Sequence, residues 1–277
     1  MESPNPYASP QAESPEFRPE NIVLRVDNPP PYQSARGKTT FVVLTTSIVI
    51  VLQLCMIGSL IMQIMMLNDA QIGVIVTPER GAENDVRQER LMWLSLAAII
   101  VSFIAILIWV YHAHRNLPAL QATRLEFTPG WAVGWFFIPI MNLFKPYQAI
   151  MEIWNQSQPG RLFTAAGAGA PAKSGSLVLT WWLMRIVGGI AGRASDSFAD
   201  ENGTIEQFLT ISWIAIGMIL VLNIPMFVCQ IVLVLQVQKF QDQRHRLLMA
   251  AQNRPPESAE APPVNVGHPF RDELVTG

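Results

Sequence analysis

Charge is scarce in this chain, and scarcest where the sequence is most apolar. Of its 277 residues, 14% are Asp, Glu, Lys or Arg and 50% are hydrophobic. No Asp or Glu falls inside any of the long apolar runs, which excludes paired carboxylates for acid–base work within them. There are 2 cysteines, Cys55 and Cys229, too few for a disulfide-built domain. The 4 histidines make no metal set: His112 and His114 are two positions apart, which aims them at different faces of a helix. A phosphate-cradling glycine loop, a Ser-His-Asp set and an HExxH helix are all missing. No basic face with interleaved aromatics points to nucleic acid. An enzyme is not expected, and no cofactor, metal or catalytic residue is implied.

Long apolar runs are present instead. They lie at about 40–67, 91–111, 176–194 and 208–235, and the only clearly polar long side chains in the first are Gln53 and Gln63. Runs of roughly 17–25 apolar residues match a hydrocarbon core about 30 Å thick. The first and fourth exceed that length, so tilt or extension beyond the bilayer is expected. The third carries Arg185 and three glycines and is the least apolar. The polar, Pro-rich stretch before residue 36 has no short apolar core near Met1, so the first run is expected to act as an uncleaved anchor. The fold class expected is an all-α integral membrane protein with four transmembrane helices over 39–250, flanked by disordered segments at 1–38 and 251–277. The N-terminal segment holds PPPY at 29–32, formally a polyproline ligand, and more simply part of a solvated tail. Residues 165–176 read as a Gly/Ala/Ser linker.

Lys and Arg set the orientation. They gather before the first run (Arg36, Lys38), in the middle connection (Arg115, Arg124, Lys145, Arg161, Lys173) and after the fourth run (Lys239, Arg244, Arg246, Arg254, Arg271). That pattern puts both termini and the middle connection in the cytoplasm, with Arg80, Arg87 and Arg90 in the 66–90 connection as a mild objection. On this arrangement Cys55 lies about 22 Å and Cys229 about 9 Å from the cytoplasmic helix ends, too far apart to bridge; both are expected as free buried thiols.

The middle connection contains a segment at 128–157 that is too apolar for a loop and broken by Pro139 and Pro146. Thr128 and Pro129 form a helix start, and a helix from Pro129 to about Ile138 would run roughly 15 Å, half the bilayer. After the Pro139 break, Asn142, Lys145 and Pro146 return the chain toward the interface, and a second helix runs from Pro146 to Ser157 with Tyr147, Met151 and Trp154 on one face. Trp131, Trp135 and Trp154 suit the headgroup zone. Two geometries fit: a re-entrant hairpin dipping in from the cytoplasm, or a helix pair flat in the interface. A fifth full span would put the basic tail outside and is not expected.

These residues resemble a known family. Trp109, Tyr111, Arg115, Asn116 and Leu117 precede PGWAVGWFFIP at 129–139, in which Pro129, Trp131, Gly134, Trp135 and Pro139 stand out. Asn142-Leu143-Phe144, Pro146-Tyr147 and Met151-Glu152-Ile153-Trp154 follow. The pattern is similar to that of the domain of unknown function 4328 family, over roughly 40–247, with the basic, Gln-containing end VLQVQKFQDQRHRLL also alike. The resemblance implies a bacterial inner-membrane protein of about four spans. It supplies no reaction or ligand, so the matching residues enter only as family-motif positions.

Two further positions are candidates. Arg185 sits about nine residues into the third run, where an ionisable group costs about 2.5–3.5 kcal/mol on insertion scales and should face the bundle interior. Asn223, Gln53, Ser102, carbonyls near Pro225, or Glu152 are its candidate partners, and a snorkelling arginine is the plain alternative. Asn223 precedes Pro225 midway along the fourth run, where a proline kink frees a carbonyl. Gly188 and Gly192 form a GxxxG suited to close helix packing, within the bundle or in a homo-oligomer. Two functions follow. One is a scaffold or sensor reading lipid or an unknown protein partner at its cytoplasmic face. The other is a small transporter or channel-like unit with a polar path near Arg185 and Pro139, marked by a pocket joining Arg185, Asn223 and Asn142.

Overall fold

The computed structural model describes Ile22 and residues 28–162, 174–197 and 203–253. Apart from an isolated bridge at Ile22, the regular elements are helices. They are α1 (Arg36–Gln71), α2 (Pro78–Arg115), α3 (Pro129–Gly134), α4 (Lys145–Ser157), α5 (Ser176–Ser197), α6 (Ile205–Met218) and α7 (Ile224–Gln252). Among the described residues, three helical rods are long and apolar enough to cross a membrane: α1, α2, and Ile205–Gln252, in which α6 and α7 join end to end. The run expected as a fourth span is helical as α5, 22 residues long, but is not among those three. Arg185, Arg193, Gly188, Gly189 and Gly192 dilute its apolar character.

The connection expected over 66–90 is mostly helix. Only residues 72–77 separate α1 from α2, and they turn through Gly73 at φ +84°, a conformation that suits glycine. Thr77 then caps α2 by accepting from the Arg80 amide, with Pro78 in the first turn and Glu79 favourable to the helix dipole. Charged residues that look like a loop in sequence therefore form an antiparallel extension of the α1–α2 hairpin. Arg80 meets Asp69 at 3.0 Å, Arg87 donates to Ser59 Oγ at 2.9 Å, and Gln88 donates to Gln63 at 2.7 Å.

Pro225 does not break its helix. The turn before it, Ile219–Asn223, is a π-turn, and the Ile224 amide reaches back five residues to the Ile219 carbonyl. Proline lacks a donor and crowds the carbonyl four residues earlier; widening the preceding turn relieves that crowding without ending the rod.

The outer surface is apolar where a water-soluble bundle would be polar, and the apolar core is interspersed with buried polar side chains. Leu44, Ile48, Val51, Leu54, Leu94, Ile104, Val221 and Val232 face outward, while Thr39, Thr46, Gln53, Ser59, Ser102, Gln230, Gln238 and Gln241 are buried. That is the arrangement helices need in lipid, where apolar tails are the solvent and polar groups must find partners inside. Cys55 follows the same rule: both cysteines are free, but Cys55 is exposed on the outward face and Cys229 half-buried, so neither is the fully buried thiol expected.

One face of α7 supplies most of the interior bonds. Gln230 donates to Thr46, which also bonds Ser102. Gln238 accepts from Thr39, whose hydroxyl also takes the Trp109 indole N–H. Gln241 donates to the Ala113 carbonyl and Ser157 Oγ and accepts from Asn116. Arg244, only 1% exposed, donates to the carbonyls of Leu120, Gln156 and Gln158. These positions fall on one side of a helix of 3.6 residues per turn. Between them they tie α7 to α1, α2 and the end of α4.

Residues 28–35, expected within the solvated tail, lie against this end of the bundle. Tyr32 stacks on His245 with ring centroids 4.3 Å apart, and its hydroxyl donates to Asp242 at 3.0 Å. Asp242 also accepts from Arg36 and Gln238. Burial, and then the neighbouring Asp242 carboxylate, push the Tyr32 hydroxyl above its ordinary pKa, so it remains a donor. Residues 1–21 and 23–27 of this tail, 254–277 of the expected C-terminal tail and the 163–173 part of the expected linker lie outside the described residues.

Replacing Gln241 with Leu leaves the Asn116 amide and the Ala113 carbonyl without their partner in a buried position. At about 1–3 kcal/mol for an orphaned buried polar group, Gln241→Leu is expected to lower the unfolding midpoint of the purified protein in mild detergent. The exposed Lys239→Gln should leave it unchanged. Equal midpoints for Gln241→Leu and wild type would contradict the lattice.

Candidate functional site

The segment 128–157 folds as its local chemistry dictates. Thr128 Oγ1 accepts from the Trp131 amide at 3.3 Å and Pro129 takes the first helical position, giving α3. The α-helix stops at Gly134 rather than near Ile138, and Trp135–Phe137 tightens into a 3₁₀ turn. Ile138 is extended, at φ −98° and ψ 110°, as the residue before a proline prefers. A second 3₁₀ turn, Met141–Leu143, leads into α4, where Pro146 sits in the first turn. Gly134 is needed for shape: a Cβ there would come 3.3 Å from the Trp131 ring, which lies against Trp135 with centroids 4.7 Å apart.

The candidate residues divide between two places. The first is the junction where α2 ends and α4 packs. Asn116 exchanges hydrogen bonds with both backbone groups of Gln33 while donating to Gln241. Glu152 faces His114, with 3.0 Å between the carboxylate and Nε2. It also accepts from the amides of Glu126 (2.5 Å) and Phe127 (3.3 Å), so it caps the strand of chain leading to Thr128. Burial alone would raise the Glu152 pKa, but the His114 hydrogen bond, the Glu126 amide, the His114 charge and the Phe127 amide together hold it below the usual carboxylate value. Trp154 is not at an exposed headgroup position. It is 3% exposed and packs edge-on against Phe240 at 5.2 Å, because the apolar face of α4 turns inward with Ile150 and Ile153. Arg115 is exposed.

The second place surrounds Arg185. A cavity of about 420 Å³ is lined by Asn142 from the turn after Pro139, Arg185, Gly188 and Arg193 from α5, and Asn223 from the π-turn, among others. A smaller cavity of about 180 Å³ has Ser102, Phe103, Gln230 and Arg185 in its wall; Arg185 and Met226 line both. Arg185 stacks over the Phe103 ring, 5.2 Å from its centroid. No carboxylate among the described residues pairs with it: Glu152 is committed to His114 and the 126–127 amides, and Ser102 bonds Thr46. The hairpin reaches this level through Phe136 and Phe137, both edge-on to Phe103, and through the Leu143 carbonyl, which accepts from Trp182 Nε1 at 3.2 Å. Phe137, Ile140 and Phe144 are nonetheless largely exposed.

Sequence reasoning singled out Asn142, Arg185 and Asn223, and they line one cavity. It missed His114, Gln230, Gln238, Gln241 and Arg244. The α7 set carried a signal, polar residues at helical spacing along one face; His114 carried none, because Glu152 is 38 positions away. Among the described residues no group of three or more His, Cys, Asp or Glu is placed to hold a metal.

The family model described as "Domain of unknown function (DUF4328)" matches residues 73–239, more than half of the chain. The protein belongs to this family. The matched region of this DUF4328 member contains the whole hairpin, the Arg185 cavity and the π-turn. It ends before Gln241 and Arg244 and starts after the end of α1. No curated protein and no solved structure matches the chain.

Because the Glu152 pKa is depressed in the folded state, its contribution is present above the ordinary carboxylate value of 4.5 and is lost as pH falls below that value through the folded one. Amide exchange at Glu126 and Phe127, corrected for intrinsic rates, should therefore be slow at pH 6 and accelerate below about pH 4.5. In Glu152→Ala it should be fast at both. An unchanged profile in that variant would contradict the capping role.

Proposed function

We propose that this protein is a small, non-enzymatic transport or channel-like unit in which Arg185 stands on a polar path. On this reading α5 crosses as a fourth span, both termini and the 128–157 segment lie on the cytoplasmic side of a bacterial inner membrane, and the hairpin is re-entrant. The observation that carries the reading is the meeting of two cavities at one arginine. Asn142, Asn223 and Arg193 share one cavity with Arg185, and Ser102 and Gln230 share the other with it. Broken or widened backbone facing such a cavity is characteristic of membrane transport sites, and the Pro139 turn and the π-turn both meet that description.

Depth supports the re-entrant form. Phe103 lies eight residues inside the end of the second apolar run at Tyr111, about 12 Å along the helix. Phe136 and Phe137 pack against it. A helix pair lying flat in the interface would meet α2 near Tyr111 instead. The exposed Phe137, Ile140 and Phe144 then face acyl chains, and Trp131 with Trp135 lies nearer the headgroups.

A second reading, a scaffold or sensor, draws on a different observation. The exposed Trp131 and the docked 28–35 segment offer a surface for lipid or a protein partner at the cytoplasmic face. Self-association through the GxxxG is compatible with either reading. A Cβ on Gly188 would come 3.5 Å from Asn223 Oδ1, while Gly189 and Gly192 face open space that a second copy of α5 could fill.

With Cys55 and Cys229 replaced by Ser, a single cysteine at Asn223 should react with a membrane-impermeant maleimide in oriented vesicles, from the side opposite Lys38. A cysteine at Val221, which faces outward two residues away, should not. If both positions are equally inert, the path reading fails and the scaffold reading stands.

A further inference from the structure

We infer that the cavity at Arg185 binds an oxyanion of the phosphate class, as a free ion or as the phosphoryl group of a lipid. The inference rests on the path reading above and names what that path recognises.

The lining is one-signed. Its charged groups are Arg185 and Arg193, its neutral polar groups are Asn142 and Asn223, and it contains no Asp or Glu. Arg185 has an aromatic face beneath it and no carboxylate partner among the described residues, so its N–H fork has donors to spare. A planar guanidinium presents parallel donors that fit two oxygens of a phosphate. Arg185 is half-buried, and holding such a charge without an anion in a segment surrounded by apolar side chains is costly; an anionic guest relieves that cost.

Asn142 stands in the wall of the same cavity, where its side-chain NH₂ is a further donor for a bound oxyanion. Asn223 stands across the cavity in the π-turn, against Gly188, whose missing side chain keeps the space open.

Size and rim fit the same class. A cavity of about 420 Å³ exceeds what a bare halide needs and accommodates a hydrated phosphate or a phosphate ester. Two guanidiniums eight residues apart on α5, about 12 Å along the axis, suit a ligand with more than two acceptor oxygens. Ile190 and Leu143 at the rim are largely exposed and apolar, so a phosphate carried on an acyl chain is admitted as readily as a free one.

The test uses the full chain in dodecyl maltoside, a detergent without phosphate, and reads the thermal unfolding midpoint in two arms. One arm titrates sodium phosphate against sodium chloride and sodium acetate at equal ionic strength. The other titrates phosphatidylglycerol against dioleoylglycerol in mixed micelles. A saturable rise of roughly 5 °C is expected in at least one arm. It should be abolished in Arg185→Gln and in the cavity-filling Gly188→Leu, and kept in Arg90→Gln. A rise with inorganic phosphate identifies a free ion, and a rise with phosphatidylglycerol alone identifies a headgroup. No rise in either arm, an equal rise with acetate, or an undiminished rise in Arg185→Gln overturns the inference. If Asn223→Cys is nonetheless labelled, the path survives and only its ligand class is wrong. If it is inert, the path reading fails as well.

Discussion

Arg185 is the residue to which the rest of the interior is fitted. A guanidinium surrounded by apolar helices must be given a face to rest on and a polar space to point into. Phe103 supplies the face, and Asn142 and Asn223 border the space. Each comes from backbone that departs from a regular α-helix: Asn142 from the 3₁₀ turn after Pro139, Asn223 from the π-turn before Pro225. The two prolines that look like defects in the sequence are the reason these amides lie beside the arginine. Gly188 of α5 lies against Asn223 of the π-turn in the wall of the same cavity.

That arrangement holds only if the hairpin is anchored at its base. Glu152 fastens the chain leading to Thr128 onto α4 and onto His114 at the end of α2. The α7 ladder fastens those elements to one another, with Gln241 and Arg244 reaching the loop after α2 and the end of α4. The docked Tyr32 segment closes the same end by sharing Asp242 with Arg36. A polar lattice of this kind works in lipid because apolar surface no longer drives helices together, whereas an unpaired polar group remains expensive.

What was legible in the sequence was what local chemistry decides. Thr128-Pro129 reads as a helix start, Pro139 as a break, and Lys145–Ser157 as a second helix because capping and proline rules act over a few residues. The three apolar rods were legible from length and composition, and the cavity residues from the oddity of Arg185 and Asn223 in apolar runs. Pairings across the chain were not. Nothing in the motif around Glu152 names His114. The charged stretch 79–90 resembles a loop until its partners on α1 are known. Pro225 predicts a kink only if the helix cannot widen, and here it widens. Trp154 looked like an interfacial tryptophan because the inward side of α4 depends on where α7 lies. The PPPY stretch looked solvated because composition does not reveal that His245 and Asp242 form a seat for its tyrosine.

The central claim is that the hairpin tip descends to the level of Phe103 and Arg185. Its most direct test is the depth of a nitroxide placed at Ile140, which is 72% exposed and so tolerates a label. In lipid vesicles its relaxation should be enhanced far more by oxygen than by a water-soluble nickel chelate, giving a depth of about 10 Å below the phosphates, a third of the hydrocarbon thickness. Equal enhancement by the two agents, the signature of a label at the headgroups, would mean that the hairpin lies on the membrane and that the arginine's surroundings have been misread.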